Sequence, residues 1–226
     1  MSLKFLYLFK LLVAVSIINI MSNTAYAADI KILNNQTYHG NEVTDVTDSE
    51  IWIAFIPKNG ETLAKHVKIS VKTVKDYVID SETTPLTGKE ISSQEDALFL
   101  LKGLKISDGS IIENYPIKTD PINIDSPVEI KGAKATIKLF GRQNREKYQF
   151  ILDVSGKTIP LTTPTVPDEQ YPQLIWAGDI NNDGHPDFVA NISTHYNSSQ
   201  PALFLSAIDK NGVTYNKVAE RQSVGC

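Results

Sequence analysis

Apolar residues recur at every second position through much of this chain, and that period commits it to β-structure. Ala135, Ile137 and Leu139 alternate with Lys134, Thr136 and Lys138, and Val67, Ile69 and Val71 alternate with Lys68, Ser70 and Lys72. Successive side chains of a strand point to opposite faces, so this pattern buries one face and solvates the other. Tyr148, Phe150 and Leu152 repeat it. Ile51, Ile53 and Phe55 interleave with Trp52, Ala54 and Ile56, a segment expected to be buried on both faces. Runs at 174–177, 188–192 and 202–208 also read as strands. Asn59-Gly60, Asp108-Gly109, Ser155-Gly156 and Asn211-Gly212 punctuate the series, with glycine supplying the positive φ of tight turns.

The expected fold is all-β: an antiparallel sandwich or barrel-like sheets, as one larger domain or two small lobes. One stretch reads two ways. Ser92 with Glu95 resembles a capping box that would open a short helix over 97–104. The continuous apolar run through 98–101 favours a buried strand instead. Pro116, Pro121 and Pro127 divide an N-terminal β-rich region, 28–118, from a C-terminal one, 119–226. Pro160, Pro164, Pro167 and Pro172 mark a long connection into an acidic segment.

The amino end reads as an export signal. Lys4 and Lys10 precede an apolar run over 11–21, broken only by Ser16 and Asn19, and Ala25-Tyr26-Ala27 supplies the small residues of a cleavage site. The apolar core is shorter than the ~20 residues needed to cross a bilayer. The expectation is a signal peptide over 1–27, cleavage before Ala28, and a periplasmic or secreted product. The formal net charge of −4 becomes −6 once Lys4 and Lys10 are removed, which gives no bias toward nucleic acid or anionic membrane. Cys226 is the only cysteine, so no intrachain disulfide forms. A monomer is expected, with Cys226 open as a free thiol, a mixed disulfide or the link of a dimer.

The sharpest chemistry lies near the carboxyl end, where Asp179, Asn181 and Asp183 fall at alternate positions before Gly184 and Asp187. Calcium takes six to eight oxygen ligands and tolerates irregular geometry. A loop in this register offers three carboxylates, one amide oxygen and the His185 carbonyl, with Gly184 folding the chain back over the ion. Two features argue against an EF-hand: its twelfth position holds Ala190 where a bidentate Glu belongs, and the flanks are strand-like.

Residues 178–188 resemble the FG-GAP and VCBS-type repeat, whose loops of the form DxNxDGxxD lie between β-strands. The resemblance implies calcium held by Asp179, Asn181, Asp183, the His185 carbonyl and Asp187. It covers a single copy: residues 209–212 lack the later carboxylates and 120–125 lack the glycine, so a propeller of several blades is not implied.

Catalytic signatures are absent. His39, His66, His185 and His195 match no zinc spacing, and there is no GxSxG, P-loop or GxGxxG. The lysines at 65, 68, 72 and 75 lack the aromatic interleaving of a nucleic-acid surface. The sequence therefore points to an exported, non-enzymatic calcium-binding protein with a structural or binding role, its partner a protein or a glycan. The alternative is a calcium-dependent hydrolase with a site near His195 and Tyr196.

Overall fold

The computed structural model describes residues 29–210 and 212–225; the expected signal peptide, its cleavage point, Asn211 and Cys226 lie outside them. The first strands are β1 (Lys31–Leu33), β2 (Gln36–Tyr38), β3 (Ile51–Lys58), β4 (Glu61–Lys68), β5 (Ser70–Val74) and β6 (Gly88–Ser92). Then come β7 (Phe99–Lys102), β8 (Ser110–Ile112), β9 (Val128–Lys131), β10 (Thr136–Asn144), β11 (Lys147–Val154) and β12 (Lys157–Pro160). The last are β13 (Gln173–Gly178), β14 (Asp187–Asn191), β15 (Ser198–Ser199), β16 (Pro201–Asp209), β17 (Gly212–Glu220) and β18 (Ser223–Val224). The described residues contain no helix, and every strand pairing is antiparallel. Among the described residues no sheet closes into a barrel, which fits the sandwich form of the expectation.

Four sheets stack face to face. An outer sheet β2-β6-β5 covers β1-β7-β3-β4-β8, which lies on β13-β14-β16-β17, which in turn lies on β12-β11-β10-β9. Strand periodicity explains the stacking. Trp52 and Ala54 of β3 face the first core, with Tyr38 and Ile91, while Ile53 and Phe55 face the second, with Trp176 and Leu203. In β14 and β16, Phe188, Ala190, Ala202 and Phe204 enter the third core, and Val189, Leu203 and Leu205 the second. The two inner sheets thus bury both faces and carry continuous apolar runs. The outermost β10 alternates buried Ile137 and Leu139 with exposed Thr136 and Lys138.

Some local readings change. The period over Val67, Ile69 and Val71 spans two strands, because the chain leaves one sheet at Ile69 and enters another while keeping all three on one core. Residues 99–102 form strand β7, the reading that the continuous apolar run favoured. Asn59-Gly60 and Ser155-Gly156 close hairpins, both residues of each pair at positive φ. Asp108-Gly109 does not: β8 pairs with β4, and the Asp108 carboxylate accepts the His66 N–H at 2.7 Å. The boundary expected at 118/119 falls in the connection between β8 and β9.

Candidate metal centre

The acidic loop joins β13 to β14, so it closes a hairpin of the inner sheet, with its Ile180 packed against the second core. Its approach is fixed by Trp176. The indole Nε1–H reaches Thr62 Oγ1 at 2.9 Å and Asn114 Oδ1 at 3.0 Å, and the ring meets Phe55 and Phe99 edge-on. Gly178 pairs with Asn114, and a Cβ there would collide with the Glu113 carbonyl and the Trp176 ring.

Within the loop the expected ligands bend the backbone around themselves. Asp179 Oδ1 accepts the Asp183 N–H at 3.1 Å and Oδ2 the Gly184 N–H at 2.8 Å. Asn181 Oδ1 accepts the Asp183 N–H, and Asp183 Oδ1 the His185 N–H at 2.8 Å. Gly184 takes φ +83°, and a Cβ there would meet the Lys134 stem at 2.8 Å. The β9–β10 turn thus lies against the loop. Lys134 donates through its amide to the Gly184 carbonyl at 2.8 Å and through Nζ to the Asp183 carbonyl at 2.6 Å.

Asp187 forms the floor. It is fully buried; Oδ2 accepts the Ile180 N–H at 2.7 Å, and Oδ1 accepts the Ser206 N–H at 2.7 Å. Ser206 Oγ lies 2.9 Å from Asp187 Oδ1 and 2.9 Å from Asp183 Oδ2. A hydroxyl has one proton to give. Two carboxylates therefore share this one hydroxyl, although each also accepts N–H groups, Asp183 Oδ2 from Asn181 Nδ2 at 3.3 Å, and among the described residues no cationic side chain pairs with Asp187. Burial pushes Asp187 up to about 7, against the stabilising bonds from Ser206 and Ile180 and with a further push from Asp183. Tyr215, beside Ser206 across the strand pair, is 7% exposed and its hydroxyl has no hydrogen-bond partner among the described residues. Burial, then the charges of Asp187 and Asp183, raise its pKa, so that hydroxyl feels the same acidic cluster.

The five expected residues are thus tied into one loop network. They do not form a closed cage, since among the described residues no three His, Cys, Asp or Glu side chains are grouped to hold a metal ion. The His185 imidazole, incidental in the sequence reading, turns back to Asp183 Oδ1 at 3.2 Å. Ser206, Lys134 and Tyr215 went unnoticed in the sequence because sheet pairing and packing alone bring them to the loop. The donor chemistry fits calcium. All the donors are oxygen, and each Asp179 oxygen, holding one amide, keeps a free lone pair.

The second location expected from the sequence is more open. His195 Nδ1 lies 3.1 Å from Asp168 Oδ2, both half-exposed. His195, but not Asp168, lines a cleft of about 520 Å³ together with Thr162, Thr165, Ser193 and Ser198. Ser193 Oγ donates to the His195 carbonyl, not to its ring. Tyr196 is exposed and does not line the cleft.

No protein family matches this chain, and no curated protein or solved structure is similar to it.

Proposed function

We propose that residues 179–187 bind one calcium ion in an exported protein of structural or binding role, with Asp179, Asn181, Asp183, Asp187 and the His185 carbonyl as ligands. One observation carries the reading: the fully buried Asp187 shares the Ser206 hydroxyl with Asp183 and, among the described residues, has no cationic side chain paired with it. An unpaired buried carboxylate is costly, and a divalent ion supplies the missing charge when bound. Asp179 and Asn181 already stand in the register that the FG-GAP/VCBS-type resemblance implies. The loop would fix the β13–β14 hairpin and, through Lys134, the outer sheet beside it. Thermal melting with calcium and with chelator tests this. Wild type should melt higher with calcium, and Asp183→Ala should lose most of that shift; equal shifts in both would remove the site from this loop.

A second reading, a hydrolase at the cleft, draws support from the His195–Asp168 contact. A carboxylate at Nδ1 orients an imidazole to act through Nε2. Ester hydrolysis abolished by His195→Ala would establish it, and activity indifferent to that substitution would end it.

A further inference from the structure

We propose that the connection between β5 and β6 carries a preformed apolar tip that inserts into the interfacial layer of a lipid bilayer. Tyr77, Val78 and Ile79 are consecutive and 84%, 55% and 61% exposed, and Leu86 of the same connection is 52% exposed. Single exposed apolar residues are ordinary; three in succession on one turn form a patch that calls for a partner.

The backbone holds them outward. Asp76 Oδ1 accepts the Val78 and Ile79 N–H groups at 3.0 and 3.3 Å, and the Asp80 N–H donates to the Asp76 carbonyl at 2.8 Å. Asp80 Oδ2 accepts the Asp76 and Thr87 N–H groups, each at 2.8 Å, while Oδ1 takes the Thr87 hydroxyl at 2.6 Å. Asp76 is 4% exposed, and its Oδ2 meets His39 Nδ1 at 2.5 Å, which ties the turn to the body of the protein. Both carboxylates are thus spent on bracing. Residues 77–79 show solvent their apolar side chains beside Lys75, whose Nζ stands 5.7 Å from the Tyr77 ring centre, while Ser81, Glu82, Thr83 and Thr84 are exposed further along the connection.

The occupant follows from size and shape. A tip of three or four side chains falls far short of the ~800 Å² per partner that a stable protein interface buries. A bilayer needs no matching pocket and surrounds a convex tip. Tyrosine suits the headgroup boundary, valine and isoleucine the acyl edge, and a neighbouring lysine can reach back to phosphate. The net charge of −4 opposes general attraction to anionic lipid, so apolar burial carries the attachment. Among the described residues no helix is long and apolar enough to cross a membrane, and the contact proposed is peripheral.

The test is co-sedimentation with phosphatidylcholine vesicles, using matched preparations of wild type and variants so that residues 1–27 contribute equally. Wild type should bind at both low and high salt. The double variant Val78→Asp/Ile79→Asp should bind about tenfold more weakly or worse while keeping its circular dichroism. Asp80→Ala keeps every apolar side chain and loses the bracing, so it should bind several-fold more weakly. Absence of vesicle binding, or equal binding by the double variant, would overturn the proposal. So would self-association in sedimentation velocity that the double variant abolishes, since the tip would then dock on a second copy of the chain.

Discussion

Raising the pH without calcium drives a charge into the buried Asp187 position, so chelator-treated protein should lose stability between about pH 4 and pH 7. Burial is the main cause, lifting this carboxyl from 3.8 to about 7. The folded chain therefore holds a proton that the unfolded chain has released. That contribution is complete below 3.8 and is lost as pH rises through the folded value. Three pH units of difference correspond to roughly 4 kcal/mol, a large share of the 5–15 kcal/mol of a typical domain. Urea unfolding in chelator, followed by tryptophan fluorescence and stepped from pH 4 to 8, would compare wild type with Asp187→Asn. Other shifted groups need separating, among them the lowered carboxyls of Asp48, Glu50, Asp76 and Asp80, and all of them are present in the variant. His39, raised mainly by its bond to Asp76, gives a loss of the same sign, beginning above about 6.5. Asp45, held far below the usual range chiefly by Arg221, contributes stability that is lost only as pH falls below 3.8. Both are present in the variant, so the difference between the two profiles isolates Asp187. Wild type should fall by roughly 2–4 kcal/mol relative to Asp187→Asn, and saturating calcium should cancel the fall. Parallel profiles would refute the reasoning.

Other outcomes follow from the same structure. Phe99→Ala, which removes a buried ring stacked on Phe55 at 4.6 Å and set edge-on to Trp176, should cost about 3–5 kcal/mol in denaturant unfolding. Intact mass of the exported protein should begin at Ala28; a mass retaining residues 1–27 would contradict the signal-peptide reading. Non-reducing electrophoresis should show a monomer, with any dimer lost on reduction and in Cys226→Ser.

The fold class was legible because two-residue periodicity is a local property. Outer strands such as β10 announce one wet face, and the inner strands β3, β14 and β16 announce two dry ones. The pairing of β8 with β4, and the change of sheet at Ile69, left no local mark, since long-range pairing depends on how whole sheets stack. The loop divided in the same way. Asp179, Asn181, Asp183 and Asp187 stand in a sequence register that any reader can count. Ser206 reaches Asp187 only through the β14–β16 ladder, Lys134 arrives from a different sheet, and Trp176 is held by Thr62 from far upstream.

The central claim is best tested by titrating calcium into chelator-stripped protein in a calorimeter at pH 8, where Asp187 is ionised. The account predicts one ion per chain, binding lost in Asp183→Ala, and added stability of about 2.7 kcal/mol at a hundredfold excess over the dissociation constant. No heat at millimolar calcium, together with a melting temperature indifferent to chelator, would contradict it.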